Sequence, residues 1–242
     1  MKTKHILSSL LFALICVAML TSGCKKLSLQ KSFSRATDDT VDAHLYKSAW
    51  QYMLSRSKGT DTLFKTMHDA IIYAGVDTNL YSQQGNTYIF LNTNACKSLW
   101  KAYTVAGKAG TSFRSYAPAD LKNYFLYLIV KGQYTHYNLP IYPVTVQTMA
   151  PAGAYTNNSA SFLIPTPTGV TSTIFQSNPN STMTMYVLDA LIGNTQSYPL
   201  VINMSIENTT TLTANTTVST SDLLATNGVV HVMNGPPYPV SY

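Results

Sequence analysis

A chain of 242 residues can bury a sizeable core, and 45% hydrophobic content with 11% aromatic residues excludes a chain too polar to collapse. Only 11% of the residues are charged, so Thr, Ser, Asn and Tyr supply most of the polar surface. The formal charge of +6 does not make a nucleic-acid face: no Lys or Arg follows Lys131, and Lys2, Lys4, Lys25, Lys26, Lys31 and Arg35 lie ahead of the segment that can fold.

Lys2 and Lys4 precede an apolar run from Ile6 to Leu20, which is too short for a stable membrane span and has the layout of a signal peptide over residues 1–23. The run ends Leu20-Thr21-Ser22-Gly23-Cys24, which resembles a bacterial lipobox with Thr21 where Leu is usual. That resemblance implies cleavage before Cys24 and lipidation of Cys24. Lys25 in the next place resembles lipoproteins forwarded to the outer membrane, and either the cell surface or the periplasmic face is compatible with it. Cys16 is lost with the signal, so Cys96 remains as the one thiol, and neither an intrachain disulfide nor a thiolate metal cluster is expected. Residues 24–40 are polar, basic and aperiodic, as a flexible tether would be.

A single folded domain is expected over 41–242. Leu45, Ala49, Tyr52 and Met53 fall at helical spacing, and a second helix is predicted from Thr60, with Leu63, Phe64, Met67, Ala70 and Ile71 on one face and Gly75 as its stop. Tyr88 to Leu91 reads as a strand, followed by a helix through Leu99 and Trp100 that Thr93 or Asn94 would cap. Ala117-Pro118-Ala119-Asp120 opens a helix expected to run from Leu121 to Val130 and to stop at Lys131-Gly132. Beyond Ile141 the composition turns to β: Val144–Thr148, Ser161–Ile164, Met183–Ile192, Pro199–Ile206 and Val229–Val232 are the predicted strands. Asn227-Gly228 is a turn pair suited to positive φ, which makes the run from Asp222 to Val232 a hairpin. Helices first and strands after imply an α+β fold.

The order Asp222-Leu223-Leu224-Ala225-Thr226-Asn227-Gly228-Val229-Val230-His231-Val232 closely resembles the signature that closes a fasciclin domain, an extracellular adhesion and interaction module. Phe90, Thr93 and Asn94 match the family's first signature, with Cys96 on its Ala, and Tyr127 and Gly132 match its central segment, where Leu128 stands in place of the family's His. The resemblance implies a fasciclin-like wedge, a β-sandwich with flanking α-helices. It also implies structural roles for Phe90, Thr93, Asn94, Tyr127, Gly132, Asn227, Gly228 and His231. Residues from about 150 to 180 form a longer connection than the family's and read as an inserted loop.

An enzyme should leave a constellation of reactive groups, and none is legible: no G-x-S-x-G elbow, no H-E-x-x-H, no phosphate-cradling glycine loop and no dinucleotide fingerprint. No cofactor and no metal is expected. Glu207, Asp189 and Asp222 are the only acids after Lys131, too few to suggest a glycosidase pair. His231, alone among valines, reads as a hydrogen-bonded structural residue, and Cys96 as a small buried helix residue. Asp222-Leu223 occupies the place of a receptor-adhesion pair in animal fasciclin domains, with a turn-fixing Asp and a core Leu as the competing reading. Tyr134, His136, Tyr137 and Tyr142 form an aromatic cluster around a turn that can either stack on sugars or pack internally. The function this implies is a cell-envelope lipoprotein, non-catalytic, binding protein or glycan. The alternative is an accessory subunit of an outer-membrane complex such as a nutrient-uptake system, and a hydrolase is a remote third.

Overall fold

The computed structural model describes residues 42–102, 104–105, 108–156, 178–192, 195–204 and 216–239. Cys24, the tether, the strand predicted at Ser161–Ile164 and most of the inserted loop lie outside them. Ala43–Tyr242 make one compact unit.

Among the described residues four α-helices flank the sheets: α1 (Ala49–Ser55), α2 (Lys65–Tyr73), α3 (Thr93–Ala102) and α4 (Pro118–Tyr127). Ser48 caps α1 in a capping box, its side chain accepting from Gln51 N while the Gln51 side chain accepts from Ser48 N. The helical spacing at Leu45 therefore misleads. The Ser-x-x-Gln pattern marks the true start, and the chain before it is extended: Leu45 N donates to Leu224 O, and Leu224 N donates to Ala43 O, both at 2.8 Å. The second helix also starts later than predicted, at Lys65, and ends in a Schellman turn. There Val76 N donates to Ile71 O and Gly75 N to Ile72 O, with Gly75 at φ +64°. Asn92, rather than Thr93 or Asn94, caps α3, its Oδ1 accepting from Ala95 N at 2.8 Å. The fourth helix stops at Tyr127 instead of Val130. Ile129 and Val130 are β-branched and find strand partners in Tyr88 and Thr87, so tertiary pairing overrides a helical pattern.

The strands are β1 (Asn86–Leu91), β2 (Thr104–Val105), β3 (Lys108–Ala109), β4 (Ile129–Lys131), β5 (Val144–Gln147), β6 (Thr182–Val187), β7 (Ala190–Ile192), β8 (Thr195–Ser197), β9 (Leu200–Ile202), β10 (Val218–Ala225) and β11 (Gly228–Met233). The predicted strand Met183–Ile192 is two, broken between β6 and β7. One sheet has the order β10-β11-β1-β4, with β1 parallel to β11 and antiparallel to β4. The second has the order β5-β6-β9. Short bridges join the two sheets on both sides. Val130 pairs with Thr148 between β4 and β5, and Val201 pairs with Thr217 between β9 and the start of β10. The result is a closed α+β sandwich in which β1 and β11, buried along their whole length, are the central strands. The C-terminal end of β10 is covered by the extended segment around His44, which bridges Leu224.

The core is aromatic. Phe90 lies 5.2 Å from Phe64 and near Tyr81, and Tyr81 stacks on Tyr88 and meets Trp50 at a tilt. Cys96 is fully buried at the inner face of α3, and burial raises its thiol pKa well above the ordinary range, which leaves the group protonated and unreactive. Leu128 is fully buried in the same core.

The Asn227-Gly228 pair behaves differently from the sequence expectation. The turn between β10 and β11 is Thr226-Asn227, and neither Asn227 nor Gly228 has a positive φ. Gly228 is required for another reason: a Cβ there would meet Asn86 O of β1 at 2.0 Å. Space, not conformation, selects this glycine.

Candidate interaction face

The residues from Gln133 to Tyr142 form a loop that lies across the β10–β11 hairpin. Gly132, at φ +109°, starts it. Thr87 of β1 then holds both sides of that turn, its Oγ1 donating to Gly132 O and accepting from Tyr134 N, each at 2.8 Å. Within the loop Asn138 acts as an internal brace, accepting from Thr135 N at 2.7 Å and donating to Gln133 O at 2.9 Å. Val187 N donates to Pro140 O at 2.9 Å and ties the far end to β6.

Two residues of the closing signature fasten the loop to the hairpin. His231 is fully buried on β11; its Nε2 lies 2.8 Å from Tyr134 O, and its Nδ1 accepts from Asp222 N at 3.2 Å. Those two contacts require the neutral tautomer with the proton on Nε2. Asp222 sits at φ +60° in the irregular stretch of β10 between Thr220 and Leu223, where the register shifts. From there its Oδ1 accepts from His136 N at 2.8 Å. Leu223, the next residue, is half-buried and packs against the core. The structure thus brings Tyr134, His136, Asp222 and His231 to one place, where they act through backbone bonds, with Asp222 as a loop anchor and Leu223 as packing.

The remaining two cluster residues face outward. Tyr137 is 93% exposed and Tyr142 64%, with Ile141 between them in sequence at 66%. Leu139 turns inward and is buried, which fixes the loop while its neighbours stay in water. Sequence reasoning singled out the tyrosines but missed Ile141. The signal for it was present in Pro140-Ile141-Tyr142-Pro143, where two prolines prevent regular pairing and leave the residues between them extended and unburied.

The other signature residues serve the frame. Tyr127 OH donates to Thr182 O at 2.9 Å and accepts from Asn203 Nδ2 at 2.7 Å, which joins α4 to the second sheet. Thr93 Oγ1 donates to Thr62 O at 2.7 Å, and Thr93 N to Leu63 O at 2.9 Å, fastening α3 to the loop before α2. Asn94 is exposed. Among the described residues no group of three or more His, Cys, Asp or Glu is placed to hold a metal ion, and no helix is long and apolar enough to cross a membrane.

Burial lowers the pKa of His231 below the ordinary imidazole value, against the pull of its bond to Tyr134 and of the Asp222 carboxylate, while His136 adds to the lowering. The unfolded imidazole titrates near about 6.5, so the unfolded chain takes up a proton as pH falls below that value while the folded chain resists it. Stability conferred by neutral His231 is complete above pH ~6.5 and is lost as pH drops toward the folded pKa, by up to about 1.4 kcal/mol per pH unit. Urea unfolding at mildly acidic and neutral pH should show this slope in the wild type and a flatter one in His231→Gln. Equal slopes would mean that His231 does not carry the effect.

No known family's sequence model matches the chain, and no curated protein matches it. Among solved structures the chain is similar to a FAS1 domain pair from the insect cell adhesion molecule Fasciclin I, at 13% sequence identity and a TM-score of 0.41. The match covers 74% of this chain and 46% of that one, so the chain spans about half the length of that structure.

Proposed function

We propose that this chain is a non-catalytic interaction module of the fasciclin type, held at the cell envelope by lipid on Cys24 and contacting a protein or glycan through the 133–142 loop. One observation carries the reading. Among the described residues six large hydrophobic side chains are exposed, and three of them, Tyr137, Ile141 and Tyr142, fall within six consecutive positions of a loop pinned at both ends. Exposed aromatic and aliphatic groups on a braced loop meet a partner with little conformational entropy left to lose. Tyrosine is also among the residues that dominate binding energy at interfaces, offering a broad apolar ring and a polar tip. The resemblance of the 222–232 stretch to the closing signature of fasciclin domains favours adhesion over the role of an accessory subunit.

Cells displaying the full chain should adhere to protein- or glycan-coated surfaces, and protease added to intact cells should cleave the domain. The double change Tyr137→Ala and Tyr142→Ala should weaken adhesion by about tenfold or more, since truncating one such anchor costs on the order of 2 kcal/mol. The unfolding midpoint should stay in place, because both rings are already in water. Undiminished adhesion by the double variant would remove the loop from the function.

A further inference from the structure

The contacts that hold the 133–142 loop to the rest of the fold differ in kind along its length. Its two ends are fixed by groups that do not titrate. Thr87 Oγ1 bonds Gly132 O and Tyr134 N at the start, while at the far end Leu139 is buried and Val187 N donates to Pro140 O. The middle is fixed through two residues that do titrate. His231 Nε2 meets Tyr134 O at 2.8 Å, and Asp222 Oδ1 accepts from His136 N at 2.8 Å. These two residues are themselves joined, since Asp222 N donates to His231 Nδ1 at 3.2 Å. The imidazole is the inner member of the set: it is fully buried, both ring nitrogens are engaged, and one of them holds the backbone of the residue whose carboxylate holds the loop.

In the closed arrangement a second proton has no place on the ring, because the Asp222 N–H already points at Nδ1. That bond also helps to keep Asp222 at φ +60° in the irregular stretch of β10, a backbone state that a non-glycine residue holds only where its surroundings enforce it. The groups around the ring do not reverse this. From β10 it faces the Asp222 carboxylate, which favours an imidazolium. From the loop it faces the His136 ring, which opposes one, and the Tyr134 carbonyl; on β1 the residue opposite is Ile89. Burial outweighs the Asp222 carboxylate, and the closed ring resists the proton. Once the middle of the loop lifts away, water reaches the imidazole and it takes up a proton at about pH 6.5, as an ordinary imidazole does. Proton uptake and closure of the loop are therefore competing equilibria, linked as any ligand is linked to the state it prefers.

We propose that His231 is a proton-sensitive latch for the tyrosine loop: a proton taken up by its ring releases the middle of the loop from the hairpin, while both ends stay attached and make the release reversible. Below about pH 6.5 the ratio of open to closed loop rises by up to about tenfold per pH unit. Tyr137 then no longer shares one fixed surface with Ile141 and Tyr142, so adhesion at neutral pH gives way in mild acid. The effect on adhesion rests on the reading of this loop given above; the latch itself does not.

The test is amide hydrogen exchange, followed by NMR on the full chain in detergent from neutral pH down to about pH 5, with each rate expressed against that of an unstructured chain at the same pH. The reporters are the N–H groups of His136 and Asp222, whose acceptors belong to the latch. Ile89 N–H, bonded to Leu128 O in the central strand, reports unfolding of the whole domain. At neutral pH the latch reporters should exchange faster than Ile89, and below about pH 6.5 their protection should fall by about five- to tenfold per pH unit. His231→Gln, whose amide donates and accepts without titrating, should flatten that slope. His136→Gln, which removes the loop's own imidazole and keeps its backbone N–H, should retain it. A flat slope in the wild type overturns the proposal without recourse to any variant. So do latch reporters that exchange only as fast as Ile89, a slope unchanged in His231→Gln, or a slope lost in His136→Gln. Adhesion is scored separately: wild-type cells that adhere at neutral pH should detach in mild acid and His231→Gln cells should not, and equal detachment overturns control of adhesion by the latch. Wild-type cells that fail to adhere at neutral pH overturn the adhesive reading instead, and the exchange rates still decide the latch.

Discussion

Replacing Asn227 with alanine is expected to lower the free energy of unfolding by about 3–4 kcal/mol, because one buried side chain closes four hydrogen bonds there. Its Oδ1 accepts from Ala49 N at 2.8 Å. Its Nδ2 lies 3.1 Å from Tyr81 O, 2.9 Å from Gln83 O and 2.8 Å from Tyr88 Oη. Two amide hydrogens serve those three acceptors, so at least one is shared. The alanine variant leaves the first N–H of α1 without an acceptor in a buried place, and it removes the common partner of α1, the Tyr81 turn and β1. Against a domain stability on the order of 5–15 kcal/mol this is a large fraction. Urea unfolding would measure it beside Asn94→Ala, which changes an exposed asparagine and should stay within about 0.5 kcal/mol of the wild type. A loss below about 1 kcal/mol for the Asn227 variant would mean that water replaces the amide and that Asn227 is not the joint described above.

Gly228→Ala should be as damaging for a steric reason. The added Cβ would lie 2.0 Å from Asn86 O and 3.1 Å from Asn86 C, both backbone atoms of the strand with which β11 begins its parallel pairing. Backbone cannot rotate aside as a side chain can, so the first rung of β1 against β11 must open. Overpacking of a core by one methyl costs typically about 1–3 kcal/mol, and contact with a central strand places this case at the upper end or above it. Gly85→Ala supplies the contrast, because Gly85 has φ +83° and open space around its Cα. Its cost is conformational alone, about 1–2 kcal/mol. Thermal unfolding of the two variants should rank Gly228→Ala clearly below Gly85→Ala. The reverse order would mean that the hairpin relaxes and that close approach is not what selects glycine at 228.

Local rules located most of the elements and misjudged several of their ends. The Schellman stop at Gly75 and the Pro118 start of α4 were legible because a single residue carries the constraint. The boundary between α4 and β4 was not, because Phe125 to Val130 satisfies a helical pattern, and only the presence of β1 beside Ile129 and Val130 makes the extended form better. Leu45 failed in the same way: its helical spacing is real, but an open β10 edge competes for its backbone and wins. In the interaction face, Tyr137 and Tyr142 were named from composition around a turn, while their exposure depends on Leu139 turning inward and on anchors at positions 222 and 231.

By itself the sequence determined the α+β class, the presence of the four helices, the strands at Tyr88–Leu91, Val144–Thr148 and Val229–Val232, and the burial of Cys96. Each follows from short-range periodicity or capping chemistry. Only the tertiary structure decided that β1 and β11 run parallel side by side at the centre, that Gly228 is chosen for space, and that Asp222 and His231 fasten a loop from elsewhere in the chain. Those outcomes depend on which distant backbones meet, and pairing between segments more than a hundred residues apart is set by how the whole core closes, which no local window contains.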